Sequence, residues 1–187
     1  MKILYVTGNS GKFGNAQKFF QEYNIDVEQR AVKIEEIQSG DSLEIAIDKA
    51  KKAFAIEQKP LFINDATWII PALKGFPGPF MKYINQWFEP IDFIHLMEGK
   101  GDRRIILRDI IIYIDDTCHK VFTHDHEGSV LNEVASYGYK HSTDVVISLS
   151  KSGKSIAEEK ENKNFFVEDE DKVWRDFVQW LQTNNID

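Results

Sequence analysis

A single cysteine, Cys118, excludes an intramolecular disulfide and any metal site built on several thiolates, and it suits a reducing compartment. Proline is scarce as well: of 5 in the chain, Pro71, Pro77 and Pro79 crowd into one short stretch, which marks a rigid loop. No apolar run approaches the ~18 to 20 residues that a membrane span requires, so a soluble protein without a membrane partner is expected. The apolar start is too short for a signal-peptide core, and a cytoplasmic location is expected. Positive charge is in deficit, with 23 Lys and Arg against 30 Asp and Glu and a formal net charge of −7, which argues against general nucleic-acid binding. A few lysines can still hold a nucleotide locally. The 187 residues, 42% hydrophobic and 28% charged, fit one globular domain spanning 1–187.

What is present begins with a strand-like run, Ile3 to Val6, that passes through Thr7 and Gly8 into a segment whose apolar positions Phe13, Ala16, Phe19 and Phe20 recur at helical spacing. Strand, glycine loop and helix in that order form an anion site, because the first amides of a helix have no intrahelical acceptor and the helix N-terminus is partly positive. Lys12 adds a full charge. The P-loop pattern requires glycine five positions before Gly11, where Val6 stands, so a P-loop enzyme is disfavoured. By itself the loop fits two owners. Gly8, Gly11 and Gly14 after Thr7 resemble the loop of short-chain dehydrogenases, and Thr7-Gly8-Asn9 with Lys12 resembles the opening motif of a nucleotide pyrophosphatase family.

Further along, Val27 to Ile37 reads as extended. Asp41 with Glu44 three residues on predicts a capping box for a helix whose stripe is Leu43, Ala46, Ile47, Ala50, Ala53 and Phe54. Leu61 to Asn64 reads as a short buried strand, and the Pro- and Gly-rich residues 71 to 79 read as irregular. A short helix over Ile91 to Met97, strands over Arg104 to Asp115 and Lys120 to Glu127, and a strand within Asp144 to Ser150 follow. Ser150 to Asp171 reads as a charged, irregular excursion, and Val173 to Leu181 as an amphipathic helix. His124 and His126 share one face of their strand, but no third ligand is evident for a metal.

The segment Leu61-Phe-Ile-Asn-Asp-Ala-Thr-Trp-Ile-Ile-Pro-Ala-Leu-Lys-Gly-Phe-Pro-Gly-Pro-Phe-Met-Lys82 separates the two owners. Asp65, Ala72-Leu73, Gly75, Pro77-Gly78, Phe80 and Lys82 fall in register with the central signature of the inosine triphosphate pyrophosphatase family, and Glu35-Glu36-Ile37-Gln38 resembles the segment carrying that family's metal-binding glutamate. A short-chain reductase would need a tyrosine with a lysine four residues later, and the chain has none. The resemblance implies an α/β fold with an elongated twisted mixed sheet, flanking helices and two lobes around a central cleft. It implies Mg²⁺-dependent hydrolysis of a nucleoside triphosphate to monophosphate and pyrophosphate, and a homodimer, for which the aromatic-rich Phe76 to Phe88 region is the contact surface. Glu36 and Asp65 would be the metal ligands, with Asp65 also acting on the attacking water and, together with Lys12, carrying catalysis. Thr7, Gly8, Asn9, Ser10, Gly11, Lys12, Lys49, Ala66, Lys82, Tyr137, Lys163, Glu168 and Asp169 would bind the substrate. These types suit the chemistry: lysines neutralise phosphate as compact point charges, and carboxylates hold a hard cation.

Several positions depart from the pattern. Asn15 and Asn64 stand where the family has acids, and Pro71 replaces a polar residue, which lowers carboxylate density and leaves a weakly active or purely nucleotide-binding homologue as the alternative. Tyr137-Gly138-Tyr139-Lys140-His141 loses the aspartate of an aromatic-Gly-aromatic-Asp-Pro segment. Lys163 to Asp169 replaces a His-Arg pair by Glu168-Asp169. Carboxylates accept hydrogen bonds and repel a carbonyl oxygen, so a base choice displaced from inosine and xanthosine triphosphates is expected.

Overall fold

The computed structural model describes residues 1–165 and 167–184. Its Cα positions divide into two compact units: the first comprises 1–65, 109–124 and 171–187, the second 66–108 and 125–170. Strands β3 (Leu61–Ile69), β5 (Arg104–Ile114) and β6 (His119–Val130) supply residues to both.

In the first unit, β1 (Lys2–Val6) lies parallel to β2 (Asp26–Arg30) on one side and to β3 on the other. The order continues through β5 to β6. Alternation along each central strand feeds two separate cores, since successive side chains of a strand point to opposite faces. Ile3, Tyr5, Phe62, Ile111 and Tyr113 join one cluster with Ala16 and Phe20 of α1 (Ser10–Gln21) and with Val173, Phe177 and Leu181 of α6 (Lys172–Thr183). Leu4, Val6, Leu61, Ile63, Ile110 and Ile112 join the other with Ala46, Ala50 and Ala53 of α2 (Ser42–Glu57). The central strands are thus buried on both faces, and the small alanines of α2 let that helix approach closely. The first cluster is aromatic: Tyr5 stacks on Phe62 at 4.5 Å, and Trp174 meets Tyr5, Phe20 and Phe62 edge-on.

The second unit contains β4 (Pro77–Gly78), antiparallel to the end of β3, together with parts of β5 and β6 and β7 (Ile147–Ser148), antiparallel to β6. Its core gathers Ile70, Ile84 of α3 (Met81–Trp87), Phe93 of α4 (Pro90–Leu96), Ile105, Val130, Val145 to Ile147 and Ile156 of α5 (Ile156–Glu161). Parallel and antiparallel pairs together make the sheet mixed, with helices on its flanks, as expected.

Some local expectations are corrected. Of the stretch read as extended, Val27 to Arg30 lie in the β2 ladder, and Val32 and Ile34 beyond it pack against the α2 core. Asp41 does cap α2 by accepting the Leu43 amide at 2.8 Å, but Glu44 accepts the Ser39 hydroxyl at 2.6 Å in place of closing the box. Residues 71–79 contain a 3-10 turn at Pro71–Leu73 and strand β4, so they are not wholly irregular. The acidic excursion holds α5, capped by the Ser155 hydroxyl on the Glu158 amide.

Candidate functional site

The parallel pairing of β1 with β3 brings the two informative motifs together. Leu4 pairs with Leu61 and Tyr5 with Phe62, so the same register carried two places further sets Thr7 level with Asn64. Neither motif contains information about the other; the ladder aligns them.

The glycine loop is tied down before it reaches the helix. The Thr7 amide donates to the Arg30 carbonyl at 2.9 Å, and the Gln29 side chain donates to the Thr7 carbonyl at 3.1 Å. Asn9 is the N-cap of α1, and its Oδ1 accepts from the amides of Gly11 at 2.9 Å and Lys12 at 3.1 Å, while its own amide donates to Thr7 Oγ1. An asparagine oxygen therefore occupies the place that an anion oxygen could take at the first turn. Among the described residues the amides of Gly8 and Ser10 make no hydrogen bond, and both residues are exposed. Those are the donors left to the loop. Gly8, Gly11 and Gly14 are not in left-handed backbone, so their value here is bareness rather than turn geometry.

From the first turn of α1, Lys12 reaches across to β3. Its Nζ donates to the Asn64 carbonyl at 3.3 Å and stands 3.7 Å from Asp65 Oδ1. Both side chains are about a third exposed, so the ammonium and carboxylate can still meet a ligand. Asn64 turns its amide inward, donating Nδ2 to the Ile110 carbonyl of β5 at 3.2 Å. Tyr5, fully buried beneath the loop, has its hydroxyl pKa raised by desolvation, so it stays protonated at neutral pH.

Glu36 lies in the irregular stretch before α2 and takes an ion pair from Lys49 of α2 at 2.7 Å. Lys52 of the same helix donates to the Glu35 carbonyl at 2.8 Å, which pins the acidic stretch to α2. Among the described residues no three His, Cys, Asp or Glu side chains group as a metal site, and His124 and His126 belong to no such group. Mg²⁺ commonly takes one or two protein acids and fills its shell with water and phosphate oxygens, so carboxylates such as Glu36 and Asp65 are of the type that ion uses.

The remaining expected residues lie in the second unit. Ala66 is exposed just past Asp65, and Lys82 is exposed on α3. Tyr137 is half-buried against the core of that unit. Lys163 and Asp169 adopt left-handed backbone at φ 55° and 57°. Glu168 is exposed and pairs with Lys151 at 3.2 Å. No hydrogen bond or ion pair joins Tyr137 to Lys163 or Glu168 among the described residues. Phe166, between them in sequence, lies outside the described residues. An open pocket of about 800 Å³ is lined by Gly138, Tyr139, Lys140, His141, Asp144 and Lys160, so four of the residues from the altered aromatic-glycine segment face a cavity. Asp144 shapes that segment by accepting the amides of Lys140 at 3.2 Å and His141 at 3.0 Å, and Tyr139 donates to Glu89 at 3.3 Å. Sequence reasoning missed the Asp144 contribution, although an acid three residues after a turn residue is a capping signal.

Comparison with known proteins gives a consistent result. A family model described as Ham1 family matches residues 3–170. The dITP/XTP pyrophosphatase of Thermococcus kodakarensis is 27% identical over 184 residues, covering 98% of this chain and 99% of that protein. The dITP/XTP pyrophosphatase of Saccharolobus solfataricus is 30% identical over 135 residues, covering 72% and 70%. Among solved structures, a HAM1 protein from Coxiella burnetii superposes with a TM-score of 0.79 at 19% identity, covering 98% of this chain and 99% of that one. The Ham1 protein of Staphylococcus aureus gives 0.77 at 19% identity, covering 98% and 100%. At such identity the superpositions speak for the fold.

Proposed function

Because the chain belongs to the Ham1 family, and relatives matching over nearly its full length are named dITP/XTP pyrophosphatases, we propose that it hydrolyses a nucleoside triphosphate between the α and β phosphorus, giving a monophosphate and pyrophosphate. The observation that carries this is the convergence of Lys12, at the start of α1, on Asn64 and Asp65 in β3. It sets a cation, a carboxylate and the bare amides of Gly8 and Ser10 at the same end of two parallel strands, where phosphate recognition on α/β sheets is commonly built.

In the proposed mechanism Lys12 neutralises phosphate charge as a point donor, and the loop amides orient the phosphate oxygens. Asp65 accepts a proton from, or orients, the attacking water, for which its oxygen is placed by the neighbouring ammonium. Glu36 and Asp65 are the carboxylates that would hold Mg²⁺, which when bound supplies further neutralisation of the triphosphate. Lys49, which pairs with Glu36 at 2.7 Å, is proposed to neutralise phosphate charge as well. Tyr137, Lys163, Glu168 and Asp169 are proposed to read the base, Lys82 and Ala66 to contact the nucleotide, and 1–187 to act as one functional domain. Glu168 and Asp169 stand where the resemblance expects donors. They support a preference displaced from dITP and XTP toward bases carrying an exocyclic amine. We further propose a cytoplasmic homodimer whose contact includes Phe80, Tyr83 and Trp87, exposed at 49%, 47% and 69%.

Turnover of dITP, XTP, ATP, dATP and amine-bearing analogues, each with Mg²⁺ and with EDTA, tests the proposal. Metal-dependent turnover of at least one is expected. Tight binding with no turnover of any nucleotide would establish the alternative, a nucleotide-binding homologue without catalysis.

A further inference from the structure

Asn64 makes three connections at once. Its side-chain Nδ2 donates to the Ile110 carbonyl on β5 at 3.2 Å and lies 3.5 Å from the Asp65 carbonyl; its own carbonyl accepts the Lys12 ammonium at 3.3 Å. The atom facing Ile110 must be the amide nitrogen, since an amide oxygen there would face another acceptor. Ile110 is fully buried, so water cannot replace that donor cheaply.

We propose that Asn64 is a positioning residue: it straps the β3 strand at the point where Lys12 and Asp65 meet, and it is not a weakened metal ligand. This rests on the function proposed above. Aspartate or glutamate at position 64 has no proton to give at neutral pH, so the bond to Ile110 would become a repulsion between oxygens. A second anion beside Lys12 would also leave one positive charge facing two negative ones, where the present residues balance, and a phosphate would meet net repulsion. An asparagine in the acidic pair therefore serves the site as it stands, and restoring the acid should harm it.

The variants Asn64→Asp and Asn64→Ala separate the possibilities. Removing the donor is expected to lower kcat about tenfold in both, with KM changed less than about threefold in Asn64→Ala and raised further in Asn64→Asp, and the Mg²⁺ midpoint not shifted to lower concentration. Pyrophosphate affinity, measured calorimetrically on metal-free protein in EDTA, is expected to fall about tenfold for Asn64→Asp and less for Asn64→Ala. Equal or higher kcat for Asn64→Asp with a lower Mg²⁺ midpoint would overturn the proposal and make position 64 a ligand position. A depressed Tm with wild-type kcat in Asn64→Ala would overturn it by showing a purely structural bond. Should the wild type turn over no triphosphate, the parent function fails, but the pyrophosphate titration still decides: an unchanged affinity in Asn64→Asp sinks the strap, and a weakened one sustains it.

Discussion

Replacing Lys12 by alanine removes the cation that reaches from the start of α1 to β3, and its effects on stability and on activity should separate widely. The ammonium lies 3.7 Å from Asp65 Oδ1, with the two side chains 36% and 37% exposed. Solvent screens such a pair, so its loss should cost no more than about 1 kcal/mol of stability. Activity is another matter. A unit charge about 4 Å from a phosphate oxygen gains about 4 kcal/mol at an effective dielectric near 20; salt and side-chain ordering reduce this, and about 2 to 3 kcal/mol is a reasonable residue. That corresponds to roughly a 30- to 150-fold fall in kcat/KM. Asp65, stripped of its counter-ion, would then repel the incoming phosphates and add to the loss. The assay is pyrophosphate release under saturating Mg²⁺, paired with a thermal melt of each variant. Lys12→Arg should restore only part of the rate, because a rigid fork replaces a compact point charge. A variant with less than a threefold change in kcat/KM would refute the assignment, and so would one whose rate loss is fully matched by loss of folded protein.

Gly128→Ala should destabilise the second unit by about 1 to 3 kcal/mol, because a Cβ there would lie 2.3 Å from the Ser148 carbonyl and 3.0 Å from Leu149 Cδ2; a chemical denaturation curve unchanged from wild type would show that β7 moves aside freely. Asp115 carries an acid-dependent share of stability: burial pushes its carboxyl up, but hydrogen bonds from Thr117, the Cys118 and Thr117 amides and Tyr113 outweigh that and hold it down to about 2. An unfolded aspartate titrates near about 3.9, so the folded pKa is the lower one. The Tm gap between wild type and Asp115→Ala should be full above about pH 4 and shrink as pH falls toward 2; a gap that stays constant through that window would contradict it. Trp87→Glu, on the exposed Tyr83–Trp87 stack of α3, should shift the species seen by sedimentation toward monomer, and an unchanged distribution would place any dimer contact elsewhere.

How much of this was legible in the chain depended on where the information resides. β1, α1, α2 and α6 could be read locally because their apolar positions recur at a regular period, although Ile45, outside the expected α2 stripe, is buried while Leu43, Ile47 and Phe54 are only partly so; β3 was read short, since it runs on past Asn64 to Ile69. The alternation of Val32 and Ile34 with polar neighbours showed extended chain but not its partner, which is the α2 core. α3 gave no stripe, since Ile84 alone is buried among exposed aromatics, and α5 was hidden by its charges although Glu159 is itself buried. Glu44 was drawn from the cap by a nearer hydroxyl, Ser39, which no pattern at fixed spacing could anticipate. For the site, the residue types and the separate roles of Lys12 and Asp65 followed from the motifs, but their pairing depends on the β1–β3 register. The direction of the Asn64 amide depends on β5, 46 residues away, and was invisible until the strands were paired.

The central claim is cleavage at the α–β bond by residues gathered around Lys12 and Asp65. Product analysis of the fastest-turning triphosphate with Mg²⁺ tests it most directly: equimolar nucleoside monophosphate and pyrophosphate are expected from the wild type, and neither from Asp65→Asn. Orthophosphate with nucleoside diphosphate, or full activity in Asp65→Asn, would contradict it.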